Sequence, residues 1–155
     1  MCPRPVWCMV STVHHEDGLR ALANLNATGG TVSVGWVSPA VSVILAAASL
    51  QWREDLRRIA FSSQCQDYAS TVGLMGVLQG DVSPNPKMGN RCGDTYSPLA
   101  SLSVHSEVEA CNSLVNGVFR TALGTSRLVR DVCKVVGELH DNVASHAKGR
   151  GYSAA

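Results

Sequence analysis

The chain has 155 residues, of which 16% are charged and 45% are hydrophobic, and its formal net charge is +1. This length suffices for one well-cored domain, or for a small domain with an appendage. The chain lacks the basic excess that nucleic acids or anionic membrane surfaces select. We therefore expect no nucleic-acid partner and no membrane partner, and a protein or a small ligand instead.

The termini, apolar runs and cysteines favour a cytoplasmic protein. Residues 1–10 lack the basic-then-apolar order of a secretory signal peptide. The longest apolar run, residues 41–50, spans about ten residues and is too short to cross a bilayer. The six cysteines form no C-x-x-C pair. We interpret them as reduced, mostly buried thiols, with a zinc site as the competing interpretation.

The first half of the chain alternates between strand and helix patterns. Short β-branched or apolar runs predict strands, and leucines or alanines at three- and four-residue steps predict helices. The predicted strands cover residues 5–13, 31–37 and 56–61, and the predicted helices cover residues 16–25, 40–53 and 65–72. This order predicts an α/β domain with at least partly parallel strands and helices packed on the sheet.

Ser38 and Pro39 mark the predicted turn into the second helix. Serine is a favoured N-cap, and proline is favoured at the first helical position. A phosphate on Ser38 would also lie at the positive end of a helix, so Ser38 is a candidate phosphorylation site as well as a cap. Pro39 favours the cap, because it lacks a backbone N–H that a phosphate would use.

The second half divides into a polar segment and two helices. Residues 83–103 are rich in proline and small polar residues and predict a linker or ordered arm between a domain at 1–82 and a helical unit at 104–155. Periodicity predicts an antiparallel pair of helices over residues 104–123 and 126–147. The predicted apolar face of the last helix comprises Leu128 or Val129, Val132, Val136, Leu139, Val143 and Ala147. We expect the pair to form a homodimer or to dock on the first domain, because two helices cannot bury both faces alone.

Glu138, Asn142 and His146 recur at four-residue steps in the last predicted helix. At about 100° per residue they form one stripe on the shoulder of the apolar face, half sheltered and still reaching outward. A carboxylate and a carboxamide one turn apart can serve a hydrated metal and a water. The alternative is an ordinary amphipathic helix with polar residues on its wet side. His140 lies about 120° from His146, so we expect no shared zinc ion.

This E-x-x-x-N-x-x-x-H pattern resembles the N box of the Bergerat-type ATPases, which include DNA gyrase, sensor histidine kinases and anti-sigma-factor kinases. The resemblance implies that Asn142 binds the Mg²⁺ that bridges the ATP phosphates, with His146 in the same cofactor-binding motif. It implies for Glu138 a catalytic role as general base or water-positioning group. In that family a D-x-G-x-G loop and a glycine-rich lid follow later, and these 155 residues hold neither. We therefore expect this chain, whether a fragment or a natural truncation, to bind no Mg-ATP tightly and to hydrolyse none.

Residues 30–80 resemble, in the order of their elements, the STAS-like region that precedes histidine-kinase-like ATPase domains in some bacterial regulators. The resemblance is carried by the strand TVSVGWV, the S-P-A turn, the helix ending W-R-E-D-L-R-R, the I-A-F strand and DYASTVGLMGVL. Together the resemblances imply a STAS-like mixed sheet with helices, followed by the helical start of an ATPase domain. They indicate a cytoplasmic signal-transduction regulator. The alternative is a non-catalytic STAS-like interaction module that dimerises through its terminal helices.

Overall fold

The structure is a computed structural model that describes residues 20–24, 31–81, 83, 84, 86, 92–146 and 150–155. These residues form a mixed α/β fold that is mostly helical. The α/β class predicted from the sequence is confirmed at this coarse level. A parallel sheet pairs β1 (Val32–Val34) with β2 (Ile59–Phe61), and an antiparallel sheet pairs β3 (Ala100–Leu102) with β4 (Gly151–Ser153). The strand predicted at residues 5–13 lies outside the described residues, as does most of the helix predicted at 16–25, of which residues 20–24 are helical.

Local sequence signals account for the main helices. They are α1 (Pro39–Leu56), α2 (Ser63–Thr71), α3 (Leu74–Gln79), α4 (His105–Leu123) and α5 (Arg127–His146). Ser38 Oγ accepts a hydrogen bond from the Val41 N–H at 3.2 Å, which confirms the predicted N-cap of α1. Ser126 Oγ accepts one from the Val129 N–H at 3.3 Å and caps α5 in the same way. No described helix combines the length and the apolar character that crossing a membrane requires.

The larger core lies between the parallel strands and helices α1, α2 and α3. Val32 and Val34 of β1 are buried while Ser33 between them is exposed, so one face of the strand packs inward. Val41 and Leu45 of α1 are fully buried beneath them. Leu99 and Tyr152, far along the chain, also belong to this core.

Tyr96 and Leu99, in the predicted linker or arm, pack against the core of the first domain. The Leu99 N–H donates to the Val72 carbonyl at 3.0 Å, and the Leu99 side chain is 1% exposed. Ser97 and Ala155 exchange backbone hydrogen bonds, which holds the carboxyl-terminal residues beside this segment. The sequence predicts neither β3 nor β4. The domain boundaries at 82 and 104 stay a prediction, and these contacts cross both.

Helices α4 and α5 form the predicted antiparallel hairpin, but α5 buries a different face from the one expected. The smaller core contains Leu102, Val108, Cys111 and Val115, with half-buried Val136, Val143 and Ala144 packed on it. On α5 itself, Val129 and His140 are buried. The prediction that Val132 and Leu139 are buried is wrong, since they are 38% and 56% exposed. The physical reason is that α5 carries two apolar stripes and α4 covers only one of them. Ala147, which was also predicted on the buried face, lies outside the described residues.

Candidate functional site

Glu138, Asn142 and His146 all lie on the exposed surface of α5. The predicted half-sheltered shoulder is therefore wrong for these three side chains. Glu138 Oε1 lies 3.9 Å from Lys134 Nζ, and both side chains are mostly exposed, at 66% and 78%. Such a pair adds little to stability, because water screens it.

Asn142 and Glu138 supply few of the groups that a Mg-ATP site needs. Mg²⁺ that carries ATP needs several oxygen ligands in octahedral geometry and groups that hold the phosphates. Asn142 offers one carboxamide oxygen, and the Glu138 carboxylate one turn away lies near Lys134. No group of three or more His, Cys, Asp or Glu able to hold a metal ion occurs among the described residues. The roles of Glu138, Asn142 and His146 in an ATPase stay a prediction.

The feature that distinguishes α5 is a line of exposed aliphatic side chains, which we call the exposed stripe. It consists of Leu128, Val132, Val135 and Leu139, with exposed fractions of 72%, 38%, 56% and 56%. Their spacing of four, three and four residues is the heptad spacing of helices that pack along their length. Asn142 and His146 continue the same line at the next three- and four-residue steps. The predicted polar site and the stripe therefore share one surface.

A row of alternating charges borders the stripe on one side. It consists of Arg127, Asp131, Lys134 and Glu138, which lie within about 60° of one another around the helix. Arg127 Nε lies 3.8 Å from Asp131 Oδ2, and the Lys134–Glu138 pair is similar. The opposite side of the stripe faces α4. The stripe is thus bounded by charge on one edge and by the packed hairpin on the other.

A small cavity of about 260 Å³ opens at the closed end of the hairpin, beside the stripe. It is lined by Phe119 and Leu123 of α4, Ser126 of the loop, and Leu128, Val129 and Val132 of α5. The cavity is almost entirely apolar in its lining side chains. It offers a place where an aliphatic side chain from outside could be received.

A partly buried polar network links the hairpin to β4. His140 Nδ1 lies 2.6 Å from Asn112 Oδ1 of α4, and His140 Nε2 lies 2.9 Å from Ser153 Oγ. Since Asn112 Oδ1 is an acceptor, Nδ1 carries the proton and Nε2 accepts from the serine hydroxyl. Burial lowers the pKa of His140, and the neighbouring Asp141 carboxylate raises it by less, so the ring is neutral in the folded protein at neutral pH.

Sequence reasoning missed this network. The signal that could have found it is phase: His140 is four residues after Val136 and three before Val143, both on the packed side of α5. The order hydroxyl, imidazole, carboxamide is also that of a nucleophilic triad. However, Ser153 lies within β4 opposite Ala100, and it lines neither the small cavity nor the larger one beside β1. We assign the network a structural role, which is to fix β4 against α4 and α5.

A second cavity, of about 800 Å³, lies at the carboxyl end of β1, next to the first turns of α1 and α2. Its lining includes Trp36, Pro39, Cys65 and Tyr68. Burial and the nearby Tyr96 raise the pKa of Tyr68, which keeps its hydroxyl protonated. Ser38 also lines the cavity, but its side chain is 7% exposed and its Oγ caps α1. This placement favours the cap, and phosphorylation of Ser38 stays a prediction.

Comparisons of the chain with protein-family models, with curated proteins and with solved structures gave no significant match. The functional proposals therefore rest on the sequence patterns and on the geometry of the described residues.

Proposed function

We propose that this chain is a non-catalytic protein-interaction module that binds its partner on the exposed stripe of α5. The single observation behind this proposal is the unbroken line Leu128, Val132, Val135 and Leu139 on the surface of a well-packed helix. Single exposed aliphatic residues are ordinary on protein surfaces, but a contiguous patch marks an interaction site. Full burial of an exposed aliphatic side chain gains about 1.5 to 3 kcal/mol. These four are already partly buried, so a partner that covers the line gains a part of that amount from each.

The hairpin supports the stripe as a rigid platform. Ser126 caps the start of α5, and the second core together with the Asn112–His140–Ser153 network holds its second half. A surface that is already ordered loses little conformational entropy when a partner binds. In this function α5 packs against α4 along one side and offers the neighbouring exposed stripe to a partner.

The signalling regulator with a STAS-like first domain remains a second proposal. It is supported by the order β1, α1, β2, with parallel strands, and by the E-x-x-x-N-x-x-x-H pattern of α5. The exposure of Glu138 and Asn142 favours the interaction module over a nucleotide site. A cytoplasmic location and a protein partner belong to both proposals.

A photo-crosslinking amino acid at Val135 tests the interaction module in the cells that make the protein. The matched control carries the same amino acid at Arg130, which is exposed on another side of α5, about 140° away. We expect a discrete covalent adduct from position 135 that is absent from position 130. Equal or absent adducts at the two positions would contradict the proposal.

A further inference from the structure

We propose that the cavity of about 800 Å³ beside β1 is a binding site for an uncharged small molecule that carries a planar aromatic ring. Its volume lies within the range of about 300 to 1,000 Å³ that small-molecule sites occupy. No residue of the exposed stripe lines it. The site is therefore separate from the exposed stripe, and its test is independent of the interaction module.

The cavity lies at the edge of the parallel sheet where both strands end. Residues 35–40, which follow β1, form one wall, and Gln64 and Cys65, in the first turn of the helix that follows β2, form another. Because β1 and β2 are parallel, their carboxyl ends lie at the same edge. Ligands of open α/β sheets bind in the crevice outside the carboxyl ends of the strands. The cavity thus has the position in which this architecture holds ligands.

Two aromatic side chains from different elements line the cavity. Trp36 lies in the loop after β1 and is 52% exposed, and Tyr68 lies on α2 and is partly buried. The whole chain has three Trp, three Tyr and two Phe, so a quarter of its aromatic residues line this one cavity. Aromatic rings attract another ring through stacked or edge-to-face contacts, in addition to the burial of apolar surface. A ligand with a planar ring therefore gains more here than an aliphatic ligand of the same size.

The lining also favours an uncharged ligand. None of the described residues that line the cavity is a Lys, Arg, His, Asp or Glu. A ligand charge buried here would lose its hydration and find no opposite charge. Two helices begin at the cavity, but Pro39 lacks an N–H, and the Ser38 and Ser62 hydroxyls already cap the two helices. The helix starts therefore do not select an anion.

Two polar side chains of the lining are available to orient the ligand. Among the described residues, neither the Tyr68 hydroxyl nor the Gln64 carboxamide has a hydrogen-bond partner. The Tyr68 hydroxyl stays protonated because burial raises its pKa, so it can donate to a carbonyl or ether oxygen. By contrast, the Cys65 thiol already donates to the Gly35 carbonyl at 3.0 Å. A mostly apolar lining with a few polar groups is typical of small-molecule sites.

Fluorescence titration of the full chain with phenylnaphthylamine, an uncharged aromatic dye, tests the proposal. We expect saturable binding that Trp36→Ala weakens about tenfold and that Trp36→Phe largely retains. The control Leu139→Asp changes the exposed stripe and is expected to leave the affinity unchanged. Circular dichroism checks that the variants stay folded. Binding that does not saturate, or an affinity that Trp36→Ala lowers no more than Leu139→Asp does, would overturn the proposal.

Two further measurements test the charge preference and the location of the dye. Anilinonaphthalene sulfonate carries the same rings with an added negative charge, and we expect it to bind about tenfold more weakly or worse. Cys65 is 6% exposed and lines the cavity, so bound phenylnaphthylamine should slow its alkylation by iodoacetamide severalfold. The partly buried Cys133 on α5 is the control and should react at an unchanged rate. Equal affinity for the two dyes, or a Cys65 rate that the bound dye leaves unchanged, would contradict the proposal.

Discussion

His140 shows how tertiary packing gives a residue a role that its sequence neighbours do not suggest. Its ring is 8% exposed and holds Asn112 of α4 and Ser153 of β4. The pKa of this imidazole lies below its ordinary value of 6.5, chiefly because burial penalises the charged form. The unfolded chain therefore binds a proton at a higher pH than the folded chain does.

The first prediction is that protonation of His140 lowers the free energy of unfolding as the pH falls. The contribution is fully present above about pH 6.5 and is lost as the pH falls toward the lowered pKa of the folded state. Urea unfolding at about pH 7.5 and about pH 5.5 should show a lower free energy of unfolding at the lower pH. In His140→Leu the difference between the two pH values should shrink.

In the same variant the free energy of unfolding at the higher pH should fall by about 1 to 3 kcal/mol, because the polar side chains of Asn112 and Ser153 each lose a hydrogen-bond partner. His105→Leu is the control for removing a histidine, since His105 is 76% exposed and its loss should cost much less. Equal pH dependence in wild type and His140→Leu would show that this ring does not control acid stability.

At the scale of elements, local patterns predicted most of the helices and less of the sheets. Serine caps, proline at position 39 and three- to four-residue apolar periods identified α1, α4 and α5. Strands β3 and β4 have three residues each and no alternating run, so only their partners across the chain define them. The sequence places Val136 and Val143 on the packed face of α5 but does not show whether Val129 and His140 or Val132 and Leu139 are buried beside them, because the packing of α4 decides between the two sides.

The second prediction concerns the contact between α4 and the loop at residues 92–96. A Cβ added at Gly117 would meet the backbone carbonyl of Gly93, which cannot move as a side chain can. Gly117→Ala should therefore destabilise the protein by about 1 to 3 kcal/mol, despite the better helix propensity of alanine.

Gly137→Ala is the matched control within the same hairpin. Its added Cβ meets the Asn112 side chain at an ordinary 3.5 Å, so the substitution should stabilise by about 0.4 to 1 kcal/mol. Chemical denaturation measures whether each substitution raises or lowers the free energy of unfolding. If Gly117→Ala is as stable as Gly137→Ala, the close approach of Gly93 is not rigid.

At the scale of the molecule, the carboxyl-terminal residues join the two cores. Tyr152 is 9% exposed within the larger core, while its strand β4 pairs with β3 and Ser153 binds His140 of the hairpin. Contacts of β4 therefore link the parallel-strand layer to the α4–α5 hairpin. This arrangement favours one cooperative folding unit.

The third prediction follows from that linkage. Tyr152→Ala should lower the free energy of unfolding by about 3 to 5 kcal/mol, which is typical of removing a buried aromatic side chain. Calorimetry of the wild type should show a single transition. Two separate transitions, with Tyr152→Ala affecting only one, would indicate that the cores unfold independently.

We expect the polar residues of α5 to belong to a contact surface and not to a nucleotide site. Isothermal titration calorimetry with Mg-ATP tests it in the full chain and in Asn142→Ala. We expect weak or absent binding in both, because Asn142 and Glu138 supply one amide oxygen and one exposed carboxylate that lies beside Lys134. Tight, magnesium-dependent binding of ATP that disappears in Asn142→Ala would contradict the interaction module and support the nucleotide-binding regulator.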